Sequence, residues 1–151
     1  MLHLKLFLYL QYQLITMNNL RFATAIHILV LAEKFQNEII TSDFIAGSIN
    51  VNPVVVRREI KFLREAGLID SKKGKDGGCF LTKNPTEIFL GDVYKLVNQE
   101  NVFGKMNHTN PDCPIGKEMN TNLDILFSQA EIELIKTLNN KTLKEFSDQF
   151  Q

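Results

Sequence analysis

A mainly α-helical fold with a small β-wing is what this 151-residue sequence predicts: a winged helix-turn-helix followed by a long C-terminal helix. Three observations predict it. Two capped helices separated by a sharp turn occupy Thr41–Ala66, the segment KKGKDGG joins two short strand candidates as a basic hairpin, and apolar residues keep helical spacing from Ile115 to Leu138.

The elements follow in chain order. Asn18 or Asn19 caps a helix through RFATAIHILVLAEKF, whose Phe22, Ile26, Leu29 and Val30 recur at helical spacing. Ile39–Ile40 reads as a small strand. Thr41-Ser42-Asp43 then caps a second helix over Phe44–Ile49. Asn50 sits where the chain must reverse, and Asn tolerates the left-handed conformation that such a turn requires. A third helix starts at Asn52-Pro53, because Asn caps and Pro fits the first helical position without losing a hydrogen bond. Val56, Ile60 and Leu63 form its inward face, and Gly67 ends it. Strand candidates Leu68–Ser71 and Cys79–Thr82 flank the hairpin. EIFLGDVYKLV predicts another amphipathic helix, residues 98–114 a long loop, and Ile115, Met119, Leu123, Leu126, Phe127, Ala130, Leu134 and Leu138 a helix of more than six turns. A last short helix is capped near Thr142.

The predicted organisation is therefore an N-terminal extension over 1–16, a winged helix-turn-helix domain over 17–97, a sensor-like loop over 98–114 and a helical region over 115–151. The first sixteen residues alternate leucines, but Lys5 and several polar residues interrupt them. They are too short for a membrane span and poor as a secretory signal, and Met17 is the more natural start. No membrane partner is expected, and a reducing cytoplasm is the expected compartment. Two cysteines are too few for a disulfide framework or a cysteine-only metal site.

Formal net charge is zero, yet the distribution is uneven: residues 1–83 carry 11 Lys+Arg against 7 Asp+Glu, and residues 84–151 carry 6 against 10. The basic half holds the candidate DNA-facing surface. On the helix from Asn52, the outward residues are Asn52, Val55, Arg57, Arg58 and Lys61. Arg bonds guanine bidentately and Asn does so with adenine, in a major groove wide enough for one helix. Lys72, Lys73 and Lys75 on the hairpin suit phosphate neutralisation, and Ser42 with the amides at its helix start suits another phosphate. Singly, each of these side chains solvates a surface. As an ordered set with the capped turn and basic wing, they point to double-stranded DNA.

These residues resemble the Rrf2 family of bacterial winged-helix transcription regulators. The resemblance rests on RFATAIHILVLAE and on TSDFIAGSINVNPVVVRREIKFLREAGLIDSKKGKDGGCFLTKNPTEIFLGDVYKLV, above all on LREAGLIDSKKGKDGGCFL, which is similar to the family's wing signature. It covers Met17 to Val97 well and the rest in outline. It implies a homodimer held by a long C-terminal helix, here 115–138, that binds a dyad-symmetric, palindromic operator as a repressor rather than as an enzyme. Iron–sulfur members carry three closely spaced cysteines in the loop before that helix. Here the loop has only Cys113, with His108 nearby, so an iron–sulfur cluster is not expected and no cofactor or metal is assigned.

Cys113 leaves two readings open. It lies near a helix N-terminus, where the dipole favours a reactive thiolate, which makes it a candidate redox sensor. The other reading is an unreactive loop or interface cysteine. Cys79 on the wing reads as a small packed hydrophobe, and His27 as a core hydrogen-bonding residue rather than a ligand. Two alternatives to a DNA-binding regulator stand beside it: a thiol enzyme using Cys113, which lacks a convincing base–orienter pair, and a winged-helix protein-interaction module.

Overall fold

The computed structural model describes residues 20–98 and 102–151. The alternating N-terminal segment, the proposed extension and the Asn18 or Asn19 cap lie outside the described residues.

Helix α1 is described over residues 20–34 and supplies the centre of the core through Ala25, Ile28, Leu29 and Ala32. Helix α2, Ser42–Ile49, starts two residues earlier than the sequence reading because Thr41 alone is the cap: its hydroxyl accepts from the Phe44 amide at 3.1 Å. Asn50 closes α2 at φ 61°, the left-handed conformation expected of it. Helix α3, Pro53–Glu65, opens on Asn52, whose side chain accepts from the Val54 amide at 2.9 Å. Such a cap is worth about 1 kcal/mol.

The end of α3 is a Schellman closure. Gly67 N donates to Arg64 O at 2.9 Å and Leu68 N to Leu63 O at 3.0 Å, with Gly67 at φ 70°. A side chain at that φ is strained, so glycine is the residue that lets the chain turn directly into the wing.

Strands β1, Ile69–Lys72, and β2, Gly78–Leu81, pair antiparallel with Ile69 opposite Leu81 and Lys72 opposite Gly78, one residue from the spans read in the sequence. Ile40 joins as a third, single-residue bridge, exchanging both backbone hydrogen bonds with Cys79 at 2.8 and 3.2 Å. This contact leaves no room for a side chain at residue 78, where an added Cβ would collide with the Ile40 carbonyl.

Beyond the wing, a 3₁₀ turn over Pro85–Glu87 leads to helix α4, Leu90–Val97. The helix was expected to start at residue 87, but Glu87 ends the 3₁₀ turn and Ile88 and Phe89 are extended. Ile88 O accepts from Leu143 N at 2.7 Å and Leu90 N donates to Lys141 O at 3.1 Å, so a tertiary pairing takes the groups that a longer helix would use. Helix α5, Pro114–Asn139, runs 26 residues, and helix α6, Leu143–Ser147, returns to the body, where Leu143 is fully buried in the common core. Helix α4 meets α5 where Gly91 lies against the Ile135 carbonyl and Asn139; a Cβ there would sit 2.6 Å from that carbonyl.

Candidate nucleic-acid interface

The face of α3 turned away from the core is apolar at its start and cationic beyond. Val54 and Val55 are 65% and 43% exposed, and Arg57, Arg58 and Lys61 are all exposed. Exposed valines on a helix are costly to leave in water, but they suit thymine methyl groups in a major groove. Val55 was singled out in the sequence; Val54 was not. Its only sequence signal is its place in a run of three valines, more than one buried stripe can use.

The cationic side chains differ in how they are held. Arg57 donates from Nε to the Ser42 hydroxyl at 3.2 Å and pairs with Asp43 Oδ1 at 3.3 Å. Two sequence-predicted residues, Ser42 and Arg57, are thus brought together across α2 and α3, with Asp43 as a third member that the sequence reading did not single out. Lys61 lies 3.9 Å from Glu65 one turn on. Asn52 spends one acceptor position on its cap and is exposed at the start of α3.

Arg64 donates to the Ser71 hydroxyl at 3.1 Å, which links the last turn of α3 to β1 and sets the wing beside the helix. Lys72, Lys73 and Lys75 are exposed at the hairpin, where Gly74 takes φ 109°. At the wing's base Cys79 is 1% exposed, and burial pushes its thiol up to about 11. It packs as a hydrophobe.

Behind α3 lies a group that periodicity did not reveal. Glu59 is 2% exposed and paired with Arg21, at 3.0 and 3.3 Å for the two oxygens. Ile60, read as inward, is only half-buried. His27, read as a core residue, is only half-buried and bonds the exposed Ser48 hydroxyl at 3.0 Å.

Cys113 caps α5: its sulfur accepts from the Gly116 amide at 3.5 Å and the side chain is exposed. The preceding loop is fastened to α5 by stacking of Phe103 on Phe127, 4.4 Å between centroids, and by Asn120 Nδ2 donating to the Asn107 carbonyl at 2.8 Å.

Comparison with known proteins places this arrangement. The pattern of the Rrf2 family, described as iron-dependent transcriptional regulator, matches residues 19–149. The chain belongs to the Rrf2 family. The HTH-type transcriptional regulator YwnA of Bacillus subtilis is 41% identical over 130 residues, covering 85% of this chain and 96% of YwnA. A DNA-binding protein of known crystal structure superposes with a TM-score of 0.68 at 37% identity, covering 83% of this chain and 97% of that one. A transcriptional regulator from Lactobacillus plantarum superposes with a TM-score of 0.75 at 23% identity, covering 85% and 88%, and shows the same fold. This Rrf2 chain is a DNA-binding transcription regulator, and its relatives are regulators rather than enzymes.

The family description names iron, and the two cysteines of this Rrf2 chain lie in different elements. Cys79 is buried in the wing and Cys113 stands apart from it as the cap of α5. Among the described residues, no group of three or more His, Cys, Asp or Glu side chains is placed to hold a metal ion. Nor is any described helix long and apolar enough to cross a membrane.

Proposed function

We propose that two copies of the chain pair through α5 and place their α3 helices in successive major grooves of a palindromic operator, repressing the genes it controls in the cytoplasm. The observation that carries the DNA reading is the α3 face itself: Val54, Val55, Arg57, Arg58 and Lys61 exposed together, with the lysine-bearing wing fixed beside them by Arg64 and Ser71. The residues assigned to DNA are Ser42, Asn52, Val55, Arg57, Arg58, Lys61, Lys72, Lys73 and Lys75, with Val54 added.

Pairing is supported by α5, a helix of about 39 Å at 1.5 Å per residue in which no side chain is buried. It leaves Ile115, Met119, Ile125, Leu126 and Ile132 at least 40% exposed. A helix with this much apolar surface in water is unfavourable unless covered, and a two-fold partner is the commonest cover. With only two cysteines in the chain, the regulatory signal in this reading acts through a small ligand or through oxidation of the exposed Cys113.

Selection of bound duplexes from a random pool tests the reading. The expected product is a dyad-symmetric site whose affinity falls steeply with salt as counterions are released. Selected sequences without two-fold symmetry, or affinity indifferent to salt, overturn it. Ile125→Glu and Ile132→Glu are expected to yield folded monomers by sedimentation with much weaker operator binding.

A further inference from the structure

Between the C-terminal end of α1, strand β2 with the residues that follow it, and α6 lies a cleft of about 610 Å³. That volume is within the range of small-molecule sites. It stands apart from the α3 face, and none of its lining residues belongs to the DNA-assigned set.

Its floor contains an expensive feature. Glu33 is 2% exposed, accepts from the buried Ser147 hydroxyl, and meets Lys144 Nζ at 3.2 Å. Burying the Glu33 carboxylate costs free energy, which the Ser147 hydroxyl and the Lys144 ammonium, itself 39% exposed, offset. Lys144 is held by Asp148 as well as by Glu33, and both raise its pKa. These charges satisfy one another.

Two charges on the walls are left without such partners. Lys83, just after β2, and Glu38, just after α1, both line the cleft and are exposed, yet no ion pair joins them to one another or to other described residues. This cation and this anion line the cleft together with Gln36, Asn37, Ile39 and Phe80.

We propose that this cleft binds a small zwitterion of amino-acid size, its carboxylate toward Lys83 and its ammonium toward Glu38. Such a ligand bridges the segment after β2 and the segment after α1 and so restrains the wing against the helical body. Its action as an effector rests on the operator-binding reading; its binding does not.

The test is calorimetric titration of the full chain with the L-amino acids one at a time, alongside matched amines and carboxylic acids that carry one charge each. The expected result is binding of at least one amino acid, about tenfold or more weaker for either single-charge analogue. Lys83→Gln and Glu38→Gln, both at exposed positions, are expected to weaken it similarly while leaving the unliganded melting temperature unchanged. No binding at millimolar amino acid, equal binding of the single-charge analogues, or undiminished binding in both variants overturns the site. A ligand that binds without altering DNA affinity overturns the effector role. Loss of the operator reading itself shows as absent DNA binding at every ligand concentration, with the titration unaffected.

Discussion

Arg21 grips Glu59 from α1 with two hydrogen bonds of 3.0 and 3.3 Å, and the same guanidinium reaches the Val97 carbonyl at 3.3 Å and lies 4.8 Å over the Phe62 ring. One side chain therefore joins the back of α3 to the end of α4, where the loop toward α5 begins. Removing it leaves Glu59 buried and uncompensated. Arg21→Met is expected to cost about 3 kcal/mol in urea unfolding, and Arg21→Lys to recover part of it because the ammonium lacks the bidentate fork. Stability equal to the parent in Arg21→Met contradicts this.

Arg57 is held by Ser42 and Asp43 in the free protein, so DNA must draw it from an exposed ion pair worth less than about 1 kcal/mol. Arg57→Ala and Arg58→Ala are each expected to reduce operator affinity by about 1–3 kcal/mol with the oligomeric state unchanged. Asp43→Asn releases Arg57 and is expected to tighten DNA binding slightly. Fluorescence anisotropy with parallel sedimentation measures all three, and operator binding like the parent's in both Arg variants removes that pair from the interface.

The two cysteines differ in environment. With the Cys79 thiol pushed by burial from 9.0 to about 11, the folded state disfavours its thiolate. That contribution to stability is complete below the unfolded value and is lost as pH rises through the folded one. Iodoacetamide at about pH 8 is expected to label exposed Cys113 in the native chain and Cys79 only after unfolding. Mass spectrometry that finds Cys79 labelled first contradicts the packing described.

Thr142 and Glu145 form a capping box at α6, each side chain bonding the other's backbone amide. Thr142→Ala is expected to destabilise the protein by about 1 kcal/mol. The Thr142 amide and hydroxyl hold the Glu145 carboxyl below its usual 4.5. Its folded pKa is depressed, so the stabilisation is present above the unfolded value and lost as pH falls through the folded one. The Thr142→Ala penalty, measured by chemical denaturation, should therefore shrink in acid; a penalty that grows there refutes the assignment.

Local chemistry made much of this legible. The caps at Thr41, Asn52 and Thr142, the left-handed Asn50 and the closing Gly67 each depend on residues within a few positions, so their sequence spacing carries the geometry. The outward cations of α3 could be read for the same reason. Glu59 could not: helical periodicity treats an acid as solvent-facing, and only a partner 38 residues away makes its burial tolerable. Ile88 and Phe89 were misread as helix because their amphipathic spacing was intact, while the decisive hydrogen bonds came from Lys141 and Leu143.

The sequence by itself determined the order of helix, turn, helix and basic hairpin, because capping and backbone conformation are local properties of residue type. Tertiary structure alone decided that Ile40 would become a third partner of the wing, that Arg57 would rest on Ser42 and Asp43, and that α6 would return to bury Leu143 and to set Ser147 against Glu33. These depend on which distant groups remain unsatisfied once the local elements have formed. Buried polar groups must find partners wherever the fold brings them, and that requirement has no fixed spacing along the chain.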